Sequence, residues 1–69
     1  MKEGRVLFMW FMMVYYTKRG SEIYEKTWAE DWGDAFGYAR YRAQELSRKI
    51  ADEVDVGAIF DDCGRLIYN

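Results

Sequence analysis

The sequence contains no histidine and one cysteine. The residues that could take part in chemistry are therefore mainly acids, tyrosines, arginines and that cysteine. Without histidine, and with a single thiol, Ser-His-Asp triads, Cys-His pairs and the usual zinc sites are excluded. Cys63 follows Asp61 and Asp62, and this negative setting disfavours the thiolate that a catalytic cysteine needs. The sequence therefore predicts an exposed free thiol at a turn and no cysteine catalysis.

The acids form two groups, 30–34 and 52–62. The second group could hold a divalent cation weakly, but it lacks the Asp-x-Asp-x-Asp-Gly spacing of a calcium loop, so solubilising charge is the favoured interpretation. Paired carboxylates can do acid–base work, yet so small a domain offers little interior for a substrate pocket. We therefore predict no enzyme, no catalytic residue, no metal site and no cofactor.

Tyrosines and arginines alternate in 37–42, which reads GYARYR. Nucleic-acid grooves combine these residue types for stacking and phosphate contacts, but tyrosine and arginine are also hot-spot residues of protein interfaces. The net charge of −2 favours a protein partner. The predicted partner-binding residues, with the neighbouring acids as specificity elements, are Tyr38, Tyr41, Arg42, Asp34 and Glu45.

A helix must position these side chains. Apolar residues recur every three or four positions over about residues 31–54 and form one stripe. The stripe consists of Trp32, Phe36, Ala39, Ala43, Leu46 and Ile50. Asp31 or Thr27 is a candidate N-cap, and Gly33, Gly37 and Tyr41 are predicted to point outward.

The rest of the chain reads as strands, over about residues 5–17, 22–28, 56–61 and 65–69. Lys18–Ser21 is predicted to be a hairpin tip and Asp61–Gly64 a turn. We predict an α+β fold of order ββαββ, a four-stranded antiparallel sheet with one long helix across one face. The strand order 2-1-3-4 places the most apolar strand centrally and makes the crossover right-handed.

Length and composition bound the remaining classes. The 69 residues, of which 51% are hydrophobic and 19% aromatic, predict a single domain over 1–69 and no disordered tail. The apolar run 6–16 is too short to span a bilayer, which needs roughly 20 residues, and no small-x-small cleavage site follows it. A single cysteine cannot form an internal disulfide, so we expect the protein to be in a reducing cytoplasm. We expect no membrane partner.

The first strand is apolar on both sides. Side chains alternate along a strand, so Leu7, Met9, Phe11, Met13 and Tyr15 share one face and Tyr16 belongs to the other. One helix covers one face, and soluble monomers rarely leave such a patch to water. We predict that the second face is a homodimer interface or binds another molecule. The alternative is that strand 2, the hairpin loop and the curl of the sheet hide it. The candidate dimer face comprises Phe8, Trp10, Met12 and Val14.

The small acidic ββαββ chain that closes with 58–68, AIFDDCGRLIY, resembles the small proteins of phages and mobile elements, among them the anti-CRISPR inhibitors. This resemblance lies in the architecture and carries no binding residue over. It implies a protein in the host cytoplasm that binds a CRISPR effector complex and blocks it by steric occlusion. The alternatives are a homodimerising structural domain and, third, a weak nucleic-acid-binding module.

Overall fold

The computed structural model describes residues 8–69. Four strands and one helix follow one another as β1 (Met9–Thr17), β2 (Glu22–Ala29), α1 (Trp32–Ile50), β3 (Val54–Phe60) and β4 (Leu66–Tyr68). The strands form one antiparallel sheet of order β2-β1-β3-β4. The predicted α+β class, the ββαββ order and the strand order are confirmed. The part of the predicted first strand before residue 8, including Leu7, lies outside the described residues.

The hairpin between β1 and β2 turns at Lys18–Ser21, as the sequence predicts. The Gly20 N–H donates to the Thr17 carbonyl at 2.9 Å, and Gly20 has φ +95°, a conformation that side-chain-bearing residues rarely adopt. The Ser21 N–H donates to Thr17 Oγ1 at 3.0 Å. These bonds close the turn and set a regular register that runs from Tyr16 opposite Glu22 to Met9 opposite Ala29.

The helix begins after Asp31, whose carboxylate accepts a hydrogen bond from the Asp34 N–H at 2.9 Å. Thr27, the alternative cap, lies within β2. The helix ends at Ile50 and not near residue 54 as predicted, because Ala51 adopts a left-handed conformation with φ 55° and donates its N–H to the Ser47 carbonyl. The chain is thereby turned early enough for β3 to begin at Val54.

The core lies between the helix and one face of the sheet. Small helix residues pack over large sheet residues, an arrangement that lets the two layers approach closely. The fully buried helix residues Ala35 and Ala39 face the core, whereas Trp32 and Ile50, at the two ends of the predicted stripe, are 46% and 41% exposed. The largest fully buried side chains are Phe11, Met13, Tyr15 and Ile59. The stripe is therefore shorter than the periodicity predicts.

Candidate functional site

The second face of the sheet has no helix over it within residues 8–69, and we call it the open face. Cross-strand pairing assigns its members, since residues opposite one another share a face. Trp10 lies opposite Trp28, Val14 lies between Tyr24 and Ala58, and Met12 lies opposite Phe60. The open face comprises Trp10, Met12, Val14, Tyr16, Glu22, Tyr24, Lys26, Trp28, Asp55, Ala58 and Phe60.

The rim of the open face is far more exposed than its centre. Tyr24 is 62% exposed and Trp28 is 59% exposed, whereas Val14 retains 4%. Phe8, immediately before β1, is 55% exposed, and Trp10 and Met12 are half-buried. Within the part of the chain that the structure describes, the predicted dimer face is thus exposed at Phe8 and partly exposed at Trp10 and Met12. Val14 offers little surface, because its neighbours on the sheet already hide it.

Two charged side chains of β2 lie among the aromatic rings of the open face. The Lys26 ammonium lies 4.8 Å from the centroid of the Trp10 ring, a cation–π contact. The Tyr24 hydroxyl donates to Glu22 Oε1 at 2.6 Å, and this hydrogen bond raises the pKa of Tyr24. The open face is therefore an aromatic surface that carries one acid and one base along its β2 side.

On the helix, the predicted partner-binding residues are divided between solvent and internal contacts. Arg42 Nε donates to Glu25 Oε2 at 2.9 Å, and Arg42 Nη1 donates to Glu45 Oε1 at 3.2 Å. Glu25 also accepts from the Tyr15 hydroxyl at 3.1 Å, and Glu45 accepts from the Tyr41 hydroxyl at 3.2 Å. These five side chains form a continuous chain of contacts that ties α1 to β1 and β2. We call it the Glu25 network.

The electrostatics of the Glu25 network shift the pKa of two members, Tyr15 and Arg42. Burial first, and then the nearby Glu25 carboxylate, raise the pKa of Tyr15 well above its usual 10.0. The hydrogen bond to Glu25, and then that to Glu45, raise the pKa of Arg42. A neutral phenol and a permanent cation therefore share the Glu25 carboxylate, and the Arg42 charge is directed inward.

The other predicted partner-binding residues point to solvent. Tyr41 is 58% exposed, Tyr38 is 40% exposed, and Asp34 is exposed in the first turn of the helix. Gly37 lies on the same outer surface with nothing within 4 Å of the position of a Cβ atom. The outer helix surface thus offers two aromatic anchors. That they bind a partner stays a prediction.

The β3–β4 turn brings Asp61, Asp62 and Cys63 close together. One atom of each that could ligate a metal ion, a carboxylate oxygen or the Cys63 Sγ, lies within 4.8 Å of the others. Asp61 Oδ1 accepts from the N–H groups of Cys63 and Arg65, and Oδ2 accepts from Arg65 Nε at 3.1 Å. These bonds, led by that from the Arg65 N–H, lower the pKa of Asp61. The carboxylate thereby closes the turn, and Cys63 is an exposed free thiol.

A groove of about 440 Å³ runs between α1 and the end of the sheet formed by β3 and β4. Its polar lining consists of Arg40, Gln44 and Asp55, and its apolar lining includes Phe36 and Tyr68. Asp55 supplies the carboxylate among the residues that line the groove.

No protein-family model, curated protein or solved structure matches this chain. Over residues 8–69, no helix combines the length and the apolar content that crossing a bilayer requires.

Proposed function

We propose that this chain is a protein-binding domain without enzymatic activity, and that it inhibits its partner by steric occlusion. The observation that supports this proposal is the open face, on which Tyr24 and Trp28 are more than half exposed. Tyrosine and tryptophan gain binding energy by burying a large rigid ring, and they dominate the hot spots of protein interfaces.

The partner to test first is a CRISPR effector complex, which the resemblance to anti-CRISPR inhibitors implies. Such complexes hold nucleic acid in positively charged channels, and a small acidic protein has the net charge to approach them. Occlusion needs no cofactor and no catalytic group, in keeping with the residue types present. The gene product would then act in the cytoplasm of the host cell.

The open face is a better candidate for the binding surface than the outer helix surface. Arg42 and Glu45 are engaged in the Glu25 network, so a partner would have to break contacts within the chain to use them. A partner can contact the exposed rings of Trp28 and Tyr24 without breaking an ion pair, and the Tyr24 hydroxyl can keep its bond to Glu22. Arg42 is paired with two carboxylates, so its charge is not available to a phosphate group. No observation therefore favours nucleic-acid binding by the tyrosine–arginine segment.

The second candidate function is a homodimerising domain that buries the open face against another copy. The observation that favours it is the half-buried Trp10 and Met12 at the centre of the sheet, with Phe8 beside them. In that case Trp10 and Met12 become protected from solvent only when the protein self-associates. A partner that competes with self-association would mean that both use the open face.

A matched pair of variants separates the two surfaces. Trp28→Ser removes a ring from the open face and Tyr41→Ser removes one from the helix, and the two rings are almost equally exposed, at 59% and 58%. Binding to a purified effector complex is measured by biolayer interferometry, together with inhibition of target-DNA binding. We expect Trp28→Ser to weaken binding roughly 30-fold and Tyr41→Ser to change it less than about threefold.

Both variants should remain folded and lose roughly 1 kcal/mol of stability or less, because Tyr41→Ser removes one exposed hydrogen bond to Glu45 and Trp28→Ser removes a ring that is more than half exposed. The reverse pattern, loss with Tyr41→Ser alone, assigns binding to the outer helix surface and contradicts the open face. If no effector complex binds the parent protein, the proposed partner class is wrong.

A further inference from the structure

The outer edge of β2 is a free edge of the sheet, since β2 pairs with β1 and with no other strand in residues 8–69. The Thr17 N–H donates to the Ser21 carbonyl at 3.0 Å, which marks these two residues as a hydrogen-bonded pair. Bonded and non-bonded pairs alternate along an antiparallel ladder. The odd-numbered residues of β2 therefore direct their backbone groups towards β1. Those that direct them outward are Glu22, Tyr24, Lys26 and Trp28.

A free edge of this length is a template for another strand, because its N–H and C=O groups lie ready in a row. The ends of β2 carry opposite charges: Lys18 and Arg19 precede it, and Glu30 and Asp31 follow it. Arg19 is 80% exposed at the side chain and lies 3.7 Å from Asp52. In an antiparallel pair of two β2 strands, the basic end of each copy meets the acidic end of the other.

The side chains of β2 select a register as well as a direction. If a two-fold axis passes through Tyr24, Glu22 of each copy lies opposite Lys26 of the other, and the two Tyr24 rings are neighbours. An axis through Lys26 would place two ammonium groups opposite each other, and an axis through Glu25 would oppose two carboxylates. Opposite charges on directly opposed residues stabilise strand pairs, and like charges destabilise them.

We propose that the protein forms a homodimer by antiparallel pairing of β2 with β2 of a second copy, centred on Tyr24. The two-fold axis is then perpendicular to the sheet, so both helices lie on one side of a continuous sheet. The two open faces lie side by side on the other side. This inference goes beyond the proposed function and does not depend on it. It makes any ligand of the open face a candidate for bivalent binding.

In the first experiment, the sedimentation velocity of the full chain is measured with reductant present, at protein concentrations from about 1 to about 200 µM. We expect a concentration-dependent dimer, and a strict monomer over this range overturns the proposal. Lys26→Pro should abolish the dimer, because proline removes an outward N–H and leaves the β1–β2 ladder intact. Met12→Ser, an uncharged change on the open face of the central strand, is the matched control and should leave the dimer unchanged. Loss with Met12→Ser alone shows a dimer through the open face and overturns edge pairing.

A charge exchange tests the register without a proline. Glu22→Lys and Lys26→Glu each place like charges opposite each other twice in the dimer, and each should raise the dimer Kd at least about fivefold. The double variant restores both opposed pairs and should return the Kd to within about twofold of the parent value. Circular dichroism and the melting temperature confirm that each variant is folded. Weakening by both single variants without rescue by the double variant overturns the Tyr24-centred register.

Discussion

The contact between Tyr16 and Gly57 gives a prediction whose sign depends on the background in which it is measured. Gly57 occupies the irregularity in β3 where the register with β1 shifts, between the pairs Val14–Ala58 and Tyr15–Val56. A Cβ atom on Gly57 would overlap the Tyr16 ring at Cε2 and Cδ2 and lie 3.0 Å from Cζ. The ring therefore covers the glycine, and Gly57→Ala must displace it.

The cost of that displacement can be worked out from the structure. Tyr16 is 45% exposed, so its ring has room to rotate towards solvent. Lifting it from Gly57 exposes on the order of 50 Å² of apolar surface, which at ~25 cal per Å² costs about 1.2 kcal/mol. Leaving the preferred rotamer adds roughly 0.5 kcal/mol. Gly57 does not have positive φ, so alanine regains roughly 0.5–1 kcal/mol of backbone entropy.

We therefore expect Gly57→Ala to destabilise the parent protein by about 1 kcal/mol. In a Tyr16→Ser background the obstruction is gone, and the same substitution should stabilise by roughly 0.5–1 kcal/mol. The measurement is a double-mutant cycle by urea unfolding, with an expected coupling of about 1.5–2 kcal/mol. Gly20→Ala is a control in which positive φ causes the strain, so Tyr16→Ser should not rescue it. Equal effects of Gly57→Ala in both backgrounds refute the reasoning.

Two further predictions concern titrating groups. Tyr15→Phe should cost about 1 kcal/mol at neutral pH by deleting the hydrogen bond to Glu25, and less than that when Glu25→Gln is already present. Because the pKa of Tyr15 is raised, this stabilisation is complete below pH 10.0 and is lost as the pH rises through the folded value, which alkaline unfolding curves will show. Asp61 has a pKa lowered from 3.8, so its stabilisation is present above that pH and is lost as the pH falls through the folded value. Asp61→Asn should therefore lower the melting temperature at pH 7, and the difference should shrink as the pH falls below 3.8; a difference that stays constant would contradict the assignment.

The strand order was predictable because two simple constraints act together. The most apolar strand must be central, and the crossover between β2 and β3 must be right-handed, which leaves the order β2-β1-β3-β4. The helix terminus was not predictable in the same way. Apolar periodicity continues to Ile50, and nothing in the sequence around Ala51 marks a left-handed cap, since glycine usually occupies that position.

The Glu25 network was missed, although the sequence contains a signal for it. The pairing of Tyr16 with Glu22 places Ile23, Glu25 and Thr27 on the helix side of β2, so Glu25 is an acid that points towards the core. An inward-facing carboxylate needs a buried donor or a cation. Glu25 therefore needs a base on the helix above β2, and Arg42, which the sequence predicts to be a partner-binding residue, supplies it.

The Glu25 network also bears on which surface is left for binding. Its ion pairs engage the charged side chains of the helix on the side nearest β2. The pair between Arg42 and Glu25, both about three-quarters buried, holds the helix against the sheet. On the open face, Trp28 is 59% exposed, and Tyr24 is 62% exposed while its hydroxyl donates to Glu22. Exposed aromatic rings at these positions add nothing to the stability of the fold, because it is burial of apolar surface that stabilises a fold. One face of the sheet is used for contacts with the helix, and the other exposes aromatic rings. This difference favours the open face, and the edge beside it, as the surface that binds other proteins.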